Sequence, residues 1–231
     1  KVDEAGVSAS VWELRSKSLI AAHGHESRLR LLDTTRAFAL QRLTESDEQN
    51  VFHSRHALYF SDLFRQGAAI DASSWPKALG IEVDNLRAAL NWAFSAAGDA
   101  GLGIELAAVS AGTWMGMALL TECREWMRKA ISRIDDVNSG TRQEMIIQSA
   151  LASCMMFTGG MTEESYATWT KAHLLAAGLK DTEHQLVSLL VLWAHQIRIP
   201  NYPEAVGLAE RCGDVAEQSG DRGAIAMTNY M

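Results

Sequence analysis

Proline and cysteine are scarce, with three of each in 231 residues, and the scarcity excludes several classes. Cysteines at 123, 154 and 212 are too few and too scattered for a disulfide framework or a four-ligand zinc site. Few prolines and abundant alanine favour helix, because proline interrupts the helical hydrogen-bond ladder and alanine fits it best. Charged residues make up 21% and hydrophobic residues 48% of the chain, too apolar and too weakly charged for a disordered tract. An excess of basic charge is also lacking: the net charge is −7, which argues against wrapping nucleic acid. The chain begins Lys1-Val2-Asp3-Glu4 with no signal region, and ends at Tyr230-Met231 within a helical pattern. It is therefore expected to be a piece of a longer polypeptide, without a membrane anchor and cytoplasmic. Leu102 to Leu120 is nearly all apolar and about as long as a membrane span. Glu105, the small residues Gly103, Ser110, Gly112 and Gly116, and the missing basic flank mark it instead as a buried helix.

Catalytic signatures are missing as well. Gly98-Asp-Ala-Gly101-Leu-Gly103 has no following Lys-Ser/Thr and reads as a link between helices rather than a phosphate loop. His53 and His56 have a spacing that can bind a metal, but no carboxylate or cysteine joins them one turn away. His23-Gly24-His25 reads as a turn tip. No nucleophile elbow or Cys/His arrangement occurs. Cys123 and Cys212 fall at small-residue packing positions, as structural thiols do. The expectation is a chain that is not an enzyme and holds no metal or cofactor.

What is present is helix, with one exception near the start. Ser18-Leu19-Ile20-Ala21 and Arg28-Leu29-Arg30-Leu31 flank His23-Gly24-His25-Glu26, so a β-hairpin is expected after a first helix from about Val11. A helix then ends near Glu45, and Ser46 with Gln49 is a candidate capping box for the next, whose apolar face is Leu58, Phe60, Leu63 and Phe64. A looser stretch from Gly67 to Gly80 contains Trp75-Pro76. Leu86, Leu90, Ala93 and Ala97 mark another helix, stopped by Gly98.

Beyond residue 100 the sequence repeats. Glu122-Cys123, Glu164-Ser165 and Glu204-Ala205 recur at spacings of 42 and 40 residues, each followed seven residues later by a small residue, Ala130, Ala172 or Cys212. Candidate turns precede each pair at Leu119-Leu120-Thr121, Gly159 to Thr162 and Pro200 to Pro203. Thr141 with Glu144 and Thr182 with Gln185 have capping-box spacing, and Asp181 and Asp221 can each start a helix. Small residues seven apart share a helix face and let a neighbouring helix come close. The architecture expected is all-α, an α-solenoid of helical hairpins behind a small N-terminal unit carrying a β-hairpin.

The turn stretches Tyr202-Pro-Glu-Ala and Gly159-Gly-Met-Thr-Glu-Glu-Ser resemble the inter-helix turn of tetratricopeptide repeats, although the period here is longer than the usual ~34 residues. Trp193 also stands near a position where that repeat has a small residue. Charge divides unevenly: residues 1–66 hold nine Lys/Arg and nine Asp/Glu, residues 67–231 twelve and nineteen. Arg15, Lys17, Arg28, Arg30 and Arg36 can form a basic face at the hairpin, offset by Glu13, Glu26 and Asp33, so direct DNA contact by this stretch is not expected.

Four stretches in order are similar to a known family: Lys17-Ser-Leu-Ile20, Arg28 to Leu43 (RLRLLDTTRAFALQRL), Arg55-His-Ala-Leu-Tyr-Phe60 and Glu82 to Ala93 (EVDNLRAALNWA). Together they resemble large bacterial STAND-class (signal-transduction) ATPase transcriptional regulators. The resemblance implies a partial winged-helix subdomain over 1–45, a connecting helical region over 46–100, and tetratricopeptide-like repeats over 101–231, the last truncated. It implies an ATPase module upstream, so that ATP belongs to the full-length protein and not to this chain, and a separate DNA-binding domain at one end of the polypeptide.

On that basis the chain is expected to be a non-catalytic sensor and interaction segment that binds an inducer or protein partner and restrains its own ATPase module, with homo-oligomerisation open. The alternative is a plain tetratricopeptide-like scaffold for protein association. Methionines 115, 117, 127, 145, 155, 156 and 161 cluster in the first repeat units, with Trp114, Trp126, Trp169 and Trp193 in the same array. They suit either helix packing or an adaptable surface. Candidate ligand- or partner-binding residues are Trp114, Met155, Met156, Trp193 and His195, on the first helices of successive units.

Overall fold

The structure is a computed structural model and describes residues 3–23, 28–70, 79–229 and 231; the side chains of Glu4, Ala22, His23, Arg28 and residues 68–70 are also outside the description. The chain divides into two compact units, Lys1–His53 and Ser54–Met231.

In the first unit, Asp3 caps α1 (Glu4–Ser16) by accepting the Ala5 N–H. The helix closes through Ser18, whose positive φ of 56° lets its own N–H reach the Arg15 carbonyl and that of Leu19 the Leu14 carbonyl. This closure delays the first strand: β1 is Ile20–His23 rather than Ser18–Ala21. It pairs antiparallel with β2 (Arg28–Leu31), Ile20 opposite Leu31 and His23 opposite Arg28. The expected hairpin is thus present, while its tip at Gly24, His25 and Glu26 lies outside the described residues. Next comes α2 (Asp33–Glu45), none of whose residues is buried. Ser46 does not start the following helix. It ends α2, its N–H donating to the Arg42 carbonyl and its hydroxyl to that of Leu43, and the next helix begins only at Gln49.

The helix α3 (Gln49–Ile70) follows. Beyond the division it buries Ala57, Phe60, Ser61 and Phe64 at helical spacing, with Leu63 half-buried; Leu58 is off that stripe and exposed. The helix continues through Gly67, and Trp75-Pro76 falls outside the described residues. In α4 (Val83–Ala93) Val83, Leu86, Ala89, Leu90 and Ala93 are buried. The helix closes on Phe94 before it reaches Ala97 or Gly98, the Phe94 and Ser95 N–H groups bonding back to Leu90 and Trp92.

Helical hairpins then succeed one another: α5 (Ala100–Gly116), α6 (Leu120–Ile131), α7 (Arg142–Gly159), α8 (Glu163–Leu179), α9 (Thr182–Arg198), α10 (Tyr202–Ser219) and the short α11 (Arg222–Thr228). Each packs on the next, and α5 also packs on α7, the nearest-neighbour pattern of a solenoid. The fold is all-α apart from the hairpin. Among the described residues no helix is long and apolar enough to cross a membrane. The apolar stretch from Leu102 is α5, buried on nearly all sides.

The small-residue repeat is realised in α6, α8 and α10, where Cys123 and Ala130, Ser165 and Ala172, and Ala205 and Cys212 are all buried. The turns follow the expected punctuation with two adjustments. Leu120 already belongs to α6, so that turn is Met117–Leu119. Asp181, not Thr182, caps α9 by accepting the His184 N–H, since a carboxylate one residue earlier meets the free amides first. Thr141 accepts the Glu144 N–H as expected, Asp221 caps α11, and an unforeseen Thr162–Ser165 capping box opens α8. Gly160, at φ 77°, ends α7 in a conformation that a side chain would strain.

Two core clusters result. The first joins α3 to α7 around Phe64, Leu86, Leu90, Ile104, Leu106, Trp114 and Met127; the second joins α7 to α10 around Trp169, Leu189, Leu192, Leu208 and Cys212. Gly103 is a contact point of the first: a Cβ there would lie 2.6 Å from the Phe94 ring, itself only 3% exposed. Gly103→Ala is therefore expected to lower stability by about 1–3 kcal/mol through overpacking, despite the better helix propensity of alanine. Urea denaturation measures the change, and an unchanged or raised midpoint would show that the Phe94 ring can yield.

Candidate functional site

The five candidate binding residues do not form one site. Trp114 is fully buried in the first core, its indole N–H donating to the Ser110 hydroxyl at 3.1 Å and the Arg87 guanidinium standing 5.9 Å from its ring. Met155 is buried in the same core, and its sulfur accepts from Arg128. Met156 is half-buried on α7. Trp193 and His195 are half-buried on α9, Trp193 against the second core and His195 against the Tyr166 ring at 5.2 Å. Met127 and Met145 are also fully buried, so much of the methionine cluster is packing. The Cys123 thiol, hydrogen-bonded to Cys154 and buried, is pushed up in pKa, and burial does the same to Cys212; both stay protonated and inert.

Ion pairs between successive hairpins set the electrostatics. Arg87 on α4 grips Glu122 on α6 with two hydrogen bonds of 2.7 and 2.6 Å and also reaches Asp84. Arg65 pairs with Glu105, Arg128 with Glu164, and Arg142 with Asp181. In this way the repeat glutamates Glu122 and Glu164 each meet an arginine 35 or 36 residues earlier. Glu144 is the deepest carboxylate, 2% exposed, held by Lys171 at 2.7 Å and by the Gly140 N–H. Burial alone would raise its pKa, but Lys171 and the Gly140 N–H outweigh it and hold it below the ordinary value. Asp181 behaves alike: burial raises it, and the His184 N–H and imidazole with Arg142 more than reverse that. His173 is pushed down by burial and by the Arg211 charge, and its ring meets the Ser188 hydroxyl at 3.2 Å.

The basic face of the first unit is partly neutralised, since Lys17 pairs with Glu13 at 2.5 Å and Arg30 with Asp33 at 3.7 Å. A cleft of about 240 Å³ lies beside the hairpin, lined by Ala21, Arg30, Leu31, Leu32 and Asp33. His53 lies within 3.5 Å of the Gln49 amide and His56 packs on Phe60. Among the described residues no group of three or more His, Cys, Asp or Glu is placed to hold a metal.

The α8–α9 hairpin also sets polar side chains in an apolar setting. Tyr166 and Trp169, one turn apart on α8, both belong to the second core cluster. Gln196 on α9 is 6% exposed, and its Nε2 donates to the Tyr166 hydroxyl at 2.7 Å. Among the described residues the buried Trp169 Nε1 and Gln196 Oε1 have no hydrogen-bond partner. With Trp193 and His195 beside them, these residues are the best candidate site. Trp193 and His195 are among the residues expected from the sequence; Tyr166 and Gln196 are not. The missed signal is the amide that Gln196 inserts into the buried stripe Ser188, Leu189, Leu192.

No family model matches the chain. It is 33% identical over 123 residues to proteins of Mycobacterium bovis and of two Mycobacterium tuberculosis strains, CDC 1551 and H37Rv, provisionally named HTH-type transcriptional regulators. The similarity covers 51% of this chain and 14% of each relative, so this chain spans a small part of their length. Over half its length, then, the chain is similar to transcriptional regulators.

Two predictions come from the buried ionisable groups. Lys171→Met is expected to cost about 1–3 kcal/mol at neutral pH, because Glu144 keeps a buried charge with one partner fewer; Glu144→Gln in the same chain should recover part of it. Urea denaturation of the single and double variants checks this, and equal stabilities would deny the pair any role. His173 has a folded pKa below its ordinary 6.5, so the unfolded chain takes up the proton first and stability falls as the pH drops below 6.5. His173→Gln should flatten that part of the Tm against pH curve. Glu144 contributes above pH 4.5 and its contribution fades at lower pH, so it acts in a separate window.

Proposed function

We propose that this chain is the non-catalytic sensor and interaction segment of a STAND-type transcriptional regulator. The observation that carries this is the similarity to HTH-type transcriptional regulators, taken with a solenoid of helical hairpins. Residues 1–45 are the end of a winged-helix subdomain: their helix, ribbon, helix order and the exposed Trp12, Leu32 and Phe38 suit packing against an upstream ATPase module. The repeats beyond residue 100 are tetratricopeptide-like and bind an inducer or protein partner. Binding shifts the regulator between restrained and active states by its differential affinity for the two. ATP is bound by the upstream module and DNA by a separate domain of the full-length, cytoplasmic protein.

Exposed Leu174, Val187, Ile199 and Val206 on the last hairpins favour a second reading, in which the repeats only hold protein subunits together. Removing the stretch corresponding to 101–231 from the full-length regulator distinguishes the two. As a sensor, its loss leaves promoter binding intact and makes a transcriptional reporter constitutive or silent whatever the inducing condition. A reporter that still follows the inducing condition would overturn the sensor role, and a change in oligomeric state alone would support the scaffold.

A further inference from the structure

We draw no further inference here: the strongest candidate, the Cys123–Cys154 thiol pair packed between α6 and α7 in the first core, carries nothing because both thiols are 0% exposed and so closed to an oxidant or a metal ion.

Discussion

Close approach of neighbouring helices through small side chains is the constraint on which the rest of the larger unit depends. At Cys123 and Ala130, Ser165 and Ala172, and Ala205 and Cys212, a larger residue would push the next helix away along the seam. Between those positions stand the bulky groups Met127, Trp169 and Leu208, each filling the space that the small residues leave. Once the seam is set, each hairpin meets only its neighbours, so stability is built up locally from one unit to the next.

Charge follows the same nearest-neighbour logic. An arginine in one hairpin and a carboxylate 35 to 39 residues later meet because one repeat separates them along the chain and little separates them in space. The exposed pairs add little, since water screens them. Arg87 differs in holding Glu122 with two parallel hydrogen bonds close to the Trp114 ring, a geometry that a lysine cannot copy. Glu144 sits deeper still and depends on both Lys171 and the Gly140 N–H, so the turn before α7 and the helix after it are tied to one carboxylate.

Against this background the α8–α9 hairpin is unusual. Elsewhere in the core Ser110 bonds the Leu106 carbonyl and the Trp114 indole, and Ser153 bonds the Ser149 carbonyl. Trp169 and Gln196 lack such local partners among the described residues.

The sequence by itself determined the all-α class, the hairpin near the start, the repeat and its buried small residues, because these depend on local propensity, turn chemistry and a period along the chain. It placed Asp221 and Thr141 as caps for the same reason, and misplaced Thr182, where Asp181 one position earlier takes the amide, and Ser46, which closes the preceding helix instead. It could not tell Trp114 and Met155 from Trp193 and His195. All four sit on first helices of the hairpins, and only the packing of α5 and α7 against their neighbours decides that the first two are sealed in a core. Nor could it pair Gln196 with Tyr166, 30 residues apart, or show that one amide oxygen and one indole N–H in that hairpin have no partner. Those facts depend on how two helices turn toward each other, which sequence spacing leaves open and tertiary packing settles.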